Sequence, residues 1–175
     1  PQDAIYLVET INDINELNFS GNDKIAYLTQ TTLSIDDTQN IINELRKKFP
    51  NIESSPKEDI CYATSNRQKA IKEYADKCDA FIVVGSKNSS NSNRLVEVAK
   101  KAGCINSHLL ENAESLNLSN YSSSNIIGIS SGASVPEILV ENVISKFQKN
   151  YSLEIENVSL GEEDVQFKLP KEVRN

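Results

Sequence analysis

Residues 80–95 read AFIVVGSKNSSNSNRL. The opening Ala80, Phe81, Ile82, Val83 and Val84 are apolar at consecutive positions. Such a run, lacking the polar alternation of a half-exposed strand, suits a strand covered on both faces in a parallel sheet. A loop dense in hydroxyl and amide groups follows. After it Leu95, Val98, Ala99 and Ala102 recur at i, i+3, i+4 and i+7, one stripe of an amphipathic helix. The stretch is thus a strand, a polar loop and a helix, the repeating unit of an open α/β sheet.

Working outward, the same alternation recurs. Strands are expected at 5–8, 24–29, 80–85, 105–110 and 126–130, and helices at 36–49, 66–78, 91–102 and 136–149. Ile41, Ile42, Leu45 and Phe49 form the apolar stripe of the first helix. Strand–helix–strand order at these lengths predicts an α/β fold of parallel-sheet βαβ units with right-handed crossovers. The Pro- and Ser-rich segment PNIESSPKE marks a boundary near 50–58. The expected organisation is an incomplete α/β unit over 1–57, a fuller α/β domain over 58–150, and a C-terminal tail over 151–175. In the tail, Leu153 and Ile155, then Val165, Phe167 and Leu169, alternate with polar residues and predict strand-like structure.

Composition narrows the function classes. The 175 residues carry 18 basic and 25 acidic side chains, a net charge of −7. That balance argues against nucleic acid, whose binding rests on neutralising many phosphates. The longest apolar runs are far too short to cross a bilayer, so no membrane is expected. The chain holds no Met and opens with Pro1, which reads as a piece of a longer protein. Cys61, Cys78 and Cys104 are odd in number and widely spaced, which fits a reducing, cytoplasmic setting better than a disulfide framework.

Three strand-end loops share one chemistry: TQTTLS at 29–34, GSKNSSNSN at 85–93 and SSGAS at 130–134. Each precedes a helix. In open parallel sheets ligands sit outside the carboxyl ends of the strands, where helix N-termini present unpaired N–H groups and a positive dipole end. Hydroxyls and Asn amides add donors without fixed charge, so three such loops suit a phosphate or diphosphate. The competing reading is plain helix capping, by Asp36 or Asp37, by Ser89 with Ser90 and Asn91, and by Ser134 ahead of Pro136. Lys87 and Arg94 read as solvated surface charges before they read as anion ligands. Cys61 precedes a helix start, a position that favours a thiolate ligand or nucleophile, although a buried inert thiol is the plainer alternative. Cys78 lies on an apolar stripe and Cys104 opens a strand after Gly103, so both read as structural, and His108 as a bystander in a strand.

The strings LTQTTLSIDDT, DICYATSNRQ, VVGSKNSSNSNRL and SSGASVPEILV, in this order, together with VQFKLPKEVR near the end, resemble the 4-hydroxy-3-methylbut-2-enyl diphosphate reductases, the IspH/LytB family. The resemblance spans essentially the whole chain, as the C-terminal portion without the family's first domain. It implies a three-domain α/β enzyme of the non-mevalonate (MEP/DOXP) isoprenoid pathway. That enzyme reduces its allylic diphosphate to isopentenyl and dimethylallyl diphosphate on a [4Fe-4S] cluster held by three cysteines. By motif position it implies Cys61 as one cluster ligand. It implies Ser89, Ser90, Asn91 and Ser134 as diphosphate ligands, and Thr31 as the threonine beside the substrate hydroxyl. Gln30, Thr32 and Thr64 become lesser neighbours of the cavity. Electrons are expected from ferredoxin or flavodoxin, in keeping with the lack of a G-x-G-x-x-G nicotinamide fingerprint.

Two other cluster cysteines, the family's histidines and its proton-delivering glutamate have no counterpart here, so the isolated chain is expected neither to hold a complete cluster nor to turn over. The alternatives from other classes are a non-enzymatic α/β module that binds a phosphorylated metabolite and a thiol hydrolase built on Cys61.

Overall fold

The computed structural model describes residues 4–21, 23–54 and 60–160. Their centre is β3 (Ala80–Val84), in which every residue is buried. It pairs in parallel with β4 (Ser107–Leu110) on one side and β5 (Ile127–Ser131) on the other, in the order β4-β3-β5. Successive β3 side chains face opposite layers. Phe81 and Val83 pack with Ile71 and Ala75 and with Leu95, Val98 and Ala99. These come from α3 (Tyr62–Tyr74), the turn after it, and α4 (Ser90–Lys101). Ala80, Ile82 and Val84 pack on the other face with Val143 and Phe147 of α5 (Glu137–Gln148) and with Leu110 and Tyr121. Two helix layers over a parallel sheet confirm the expected α/β class.

Helix ends are set by local chemistry. After α4, Gly103 takes a φ of 115°, Cys104 N–H donates to the Ala99 carbonyl at 3.1 Å and Gly103 N–H to that of Lys100 at 3.2 Å. This closing motif turns the chain into β4. Ser34, not Asp36 or Asp37, caps α2 (Ile35–Lys48), accepting from Asp37 N–H at 3.4 Å. The two aspartates instead reach neighbouring helices, Asp36 to Lys72 at 2.6 Å and Asp37 to Lys101 at 2.9 Å. The Lys101 ammonium holds the Asp37 carboxyl below its ordinary pKa.

The N-terminal part departs most from expectation. The predicted strand at 5–8 is not a strand, since Ile5 and Leu7 lie 77% and 79% exposed with no ladder partner. A short helix that the periodicity missed, α1 (Ile11–Glu16), follows. Thr10 and Asp13 close a reciprocal capping box at its start. At its other end the Lys48 ammonium donates to the carbonyls of Ile14 and Leu17, both at 2.7 Å. The strand expected at 24–29 is reduced to β1 (Ala26–Tyr27), which pairs in parallel with β2 (Glu53–Ser54), inside the segment read as a boundary.

Helix α3 starts four residues before the expected 66, because Cys61 rather than a later residue takes the N-cap place. In the tail, residues 151–160 carry no strand and are all exposed. Val165, Phe167 and Leu169 lie outside the described residues.

Candidate functional site: the carboxyl end of the sheet

The sheet order fixes where a ligand can sit. From β3 the chain crosses through α4 to β4 on one side, and the next strand, β5, lies on the other side of β3. The crevice between the carboxyl ends of β3 and β5 is therefore the topological switch point, the place where open α/β sheets bind their ligands. The loops entering α4 and α5 border it, and these carry Ser89, Ser90, Asn91 and Ser134.

Two glycines let those loops meet. A Cβ at Gly85, just past β3, or at Gly132, just past β5, would lie 2.3 Å from the same atom, Ser92 Oγ. Gly132 N–H donates to the Val84 carbonyl at 3.0 Å and Gly85 N–H to that of Leu110 at 2.9 Å, so the three strand ends stay in register up to the loops. Ser92 itself has no exposed surface.

Around this point the polar groups are donors without formal charge. Ser89 caps α4, its Oγ accepting from Ser92 N–H at 3.2 Å. Ser90 is exposed at the first position of the helix. Asn91 is only 8% exposed, and its Oδ1 has no hydrogen-bond partner among the described residues. A buried amide oxygen left unpaired is costly and calls for a donor from a ligand or a water. Ser134 is exposed and does not cap α5: its N-cap is Pro136, without a side-chain hydrogen bond. The nearby cations are engaged elsewhere, Arg94 with Glu97 at 2.5 Å and Lys87 with Glu111 at 3.6 Å.

A second polar cluster lies at the start of α3. Cys61 is exposed at the N-cap of that helix and makes no side-chain capping bond. Its N–H donates to the Thr31 carbonyl at 3.2 Å, which places the 29–34 loop directly against it. Gln68, fully buried, secures the same loop: its Nε2 donates to the Leu33 carbonyl at 2.8 Å and its Oε1 accepts from Ile35 N–H at 3.1 Å. Thr31 and Gln30 are exposed, Thr32 half-buried and Thr64 buried. Because α3 leads into β3 and α4 out of it, their N-termini lie at the same end of the sheet. Thr31 and Cys61 thus meet through a backbone hydrogen bond, the loops after β3 and β5 meet across Ser92, and both meetings lie at the carboxyl end of the sheet.

The other two thiols lie elsewhere. Cys104 is buried in the α3–α4 layer, and Cys78 Sγ donates to the Tyr74 carbonyl at 3.3 Å, burial pushing its pKa up. Among the described residues no group of three His, Cys, Asp or Glu side chains could hold a metal ion. His108 borders a separate hollow of about 190 Å³ beyond β4 and bonds to the Tyr121 hydroxyl. Burial and then Lys100 press its pKa below the usual value, and burial raises that of Tyr121 to about 12. No helix among the described residues is long and apolar enough to cross a membrane.

Ser92, Gly85 and Gly132 escaped the sequence reading. The one available signal was a Gly immediately past each apolar strand, which a strand-end turn alone also explains.

Comparison with known proteins shows which family the chain resembles. The family model described as LytB protein matches residues 1–148. A 4-hydroxy-3-methylbut-2-enyl diphosphate reductase of Beijerinckia indica is 47% identical over 174 residues, 99% of this chain and 54% of that protein. The same-named protein of Proteus mirabilis is 45% identical, covering 99% of this chain and 55% of its own length. A solved E-1-hydroxy-2-methyl-but-2-enyl-4-diphosphate reductase from Plasmodium falciparum superposes with a TM-score of 0.85 at 39% identity, over 95% of this chain and 53% of that one. The chain spans about half the length of the curated relatives it matches.

Proposed function

This chain belongs to the LytB protein family, and on that footing we propose that it is the part of a 4-hydroxy-3-methylbut-2-enyl diphosphate reductase that grips the substrate's diphosphate and supplies one thiolate to an iron–sulfur cluster. The crevice between β3 and β5 carries this reading. Its side-chain donors are neutral, its helix end is positive, and the hydroxyl-rich loops after β3 and β5 meet there on Ser92.

Ser89, Ser90, Asn91 and Ser134 hold the diphosphate through hydroxyl and amide donors, which fixes the rest of the substrate relative to Thr31 and Cys61. Thr31, exposed on the loop that Gln68 secures, holds a proton at Oγ1 for the departing hydroxyl, with Gln30, Thr32 and Thr64 shaping its surroundings. The allylic C–O bond breaks, two electrons and two protons are taken up, and a C–H bond and water result. The cluster, a [4Fe-4S] centre, supplies those electrons when bound, drawn from a ferredoxin or flavodoxin. Of its three thiolates this chain offers Cys61 alone, since Cys78 and Cys104 are packed into the helix layer. The products are isopentenyl and dimethylallyl diphosphate of the non-mevalonate pathway. The three free cysteines support a cytoplasmic, reducing location. The chain divides functionally at 57/58: residues 1–57 present Thr31, 58–150 bear the diphosphate grip and Cys61, and 151–175 form a tail.

Titration of the full-length protein with inorganic diphosphate tests the grip. The pair Ser89→Ala and Asn91→Ala is expected to weaken binding by about tenfold or more. Affinity equal to the unmodified protein refutes the reading. A phosphate-binding module without redox function predicts that substrate reduction is absent while diphosphate binding persists.

A further inference from the structure

Ser92 stands apart from the residues of the grip, for it cannot touch a ligand: none of its surface is exposed. Its hydroxyl nevertheless sits at the closest approach of three elements. It lies 3.0 Å from Ser89 Oγ, and it is the atom that a Cβ at either Gly85 or Gly132 would strike at 2.3 Å. Its proton must find an acceptor inside the protein, because a buried hydroxyl left unpaired is costly. Ser89 Oγ is the acceptor in reach, so the bond runs from Ser92 to Ser89.

That direction has a chemical consequence. Ser89 Oγ accepts twice, from the N–H and from the O–H of Ser92, and both of its lone pairs are occupied. An ordinary N-cap serine accepts one N–H and leaves its hydroxyl free to rotate and to accept again. Ser89 has only its proton left, for which the described residues provide no acceptor. It is half-buried past the carboxyl end of β3, and with both lone pairs taken that hydroxyl meets an anion as a donor.

We infer that Ser92 is the positioning residue of the diphosphate grip: it polarises Ser89 into a fixed donor and, through its packing against Gly85 and Gly132, locks the β3 loop to the β5 loop that bears Ser134. The inference rests on the diphosphate reading given above and assigns a role to a residue that never meets the substrate. Ser92→Ala deletes one atom and creates no clash. It frees a Ser89 lone pair and lets that hydroxyl turn.

A double-mutant cycle on the full-length protein, read by calorimetric titration with inorganic diphosphate, tests the coupling. Ser89→Ala and Ser92→Ala are each expected to weaken binding roughly five- to tenfold, and the double variant no more than Ser89→Ala alone. Wild-type affinity in Ser92→Ala, or multiplication of the two losses in the double variant, overturns the inference. If Ser89→Ala and Asn91→Ala both bind as tightly as the unmodified protein, the diphosphate reading itself falls instead. The packing half has its own readout. A Cβ at Gly132 would lie 2.3 Å from Ser92 Oγ, 3.3 Å from Val135 Cγ2 and 3.6 Å from Ser92 Cβ, so in Gly132→Ala the hydroxyl is the severe clash and the Val135 methyl a lesser one. Gly132→Ala is expected to lower the melting temperature, and Ser92→Ala in the same chain to restore most of the loss. No restoration refutes the lock.

Discussion

Replacing Gln68 by Glu exchanges a side-chain NH₂ for an oxygen at a point with no exposed surface. In the unmodified protein Nε2 donates to the Leu33 carbonyl at 2.8 Å and Oε1 accepts from Ile35 N–H at 3.1 Å. A protonated Glu side chain reproduces both bonds, its hydroxyl donating and its carbonyl accepting. An ionised one sets two oxygens against each other at the Leu33 position and buries a charge. Burial of this kind raises a carboxyl from about 4.3 to about 7. At about 1.36 kcal/mol per pH unit, the folded state then loses about 3–4 kcal/mol at pH 8. The sign follows from proton counting. Between those two values the folded state holds the proton and the unfolded state has lost it, so stability falls as pH rises through the window and is level on either side. Gln68→Leu, by contrast, leaves two partly buried backbone groups unpaired and costs about 1–3 kcal/mol at every pH. Urea unfolding of Gln68→Glu, Gln68→Leu and the unmodified protein from pH 4.5 to 8 separates the two. A Gln68→Glu deficit that does not change with pH, or Gln68→Leu unfolding at the wild-type midpoint, refutes the stitch between α3 and the Thr31 loop.

Ile82→Ala, at the fully buried centre of β3, should cost about 2–5 kcal/mol in the same measurement. Cys61→Ser should leave the melting temperature within the range of an ordinary surface change, about 0.5 kcal/mol, because the exposed thiol makes no capping bond. The same variant, loaded anaerobically with iron and sulfide in the full-length protein, should lose the visible absorption of a stable cluster. His108 is held below the ordinary histidine value of 6.5 by burial and then by Lys100, so the unfolded chain binds the proton more readily. Its contribution is present above 6.5 and is lost as pH falls through the window beneath it. His108→Gln should flatten stability against pH there, and an unaltered slope contradicts the assignment.

The central unit was legible because its signals are local. Ala80–Val84 is apolar at every position and α4 carries a clean stripe, so neither depends on distant residues for its identity. What failed was non-local. The two residues of β2, Glu53 and Ser54, are exposed and polar, and only their pairing with Ala26 and Tyr27 makes a strand of them. Ile5 to Val8 shows the converse, a β-like composition with no partner to complete it. Helix α1 is short and buries only Ile14, too little for a periodic signal, although Thr10 and Asp13 announced its cap. At the site, the hydroxyl-rich loops stood out in the sequence. The meeting of Gly85, Ser92 and Gly132 did not, since it joins positions far apart along the chain through a single buried oxygen.

The pairing of Arg94 with Glu97 and of Lys87 with Glu111 leaves the crevice to be served by hydroxyls, an amide and the end of a helix. A cage of lysines would draw an anion from afar, weaken as salt rises, and let go reluctantly. Neutral donors act only at contact. A pocket of this kind suits a cycle in which the incoming and outgoing molecules carry the same charged tail, because the tail that secures one must not imprison the other.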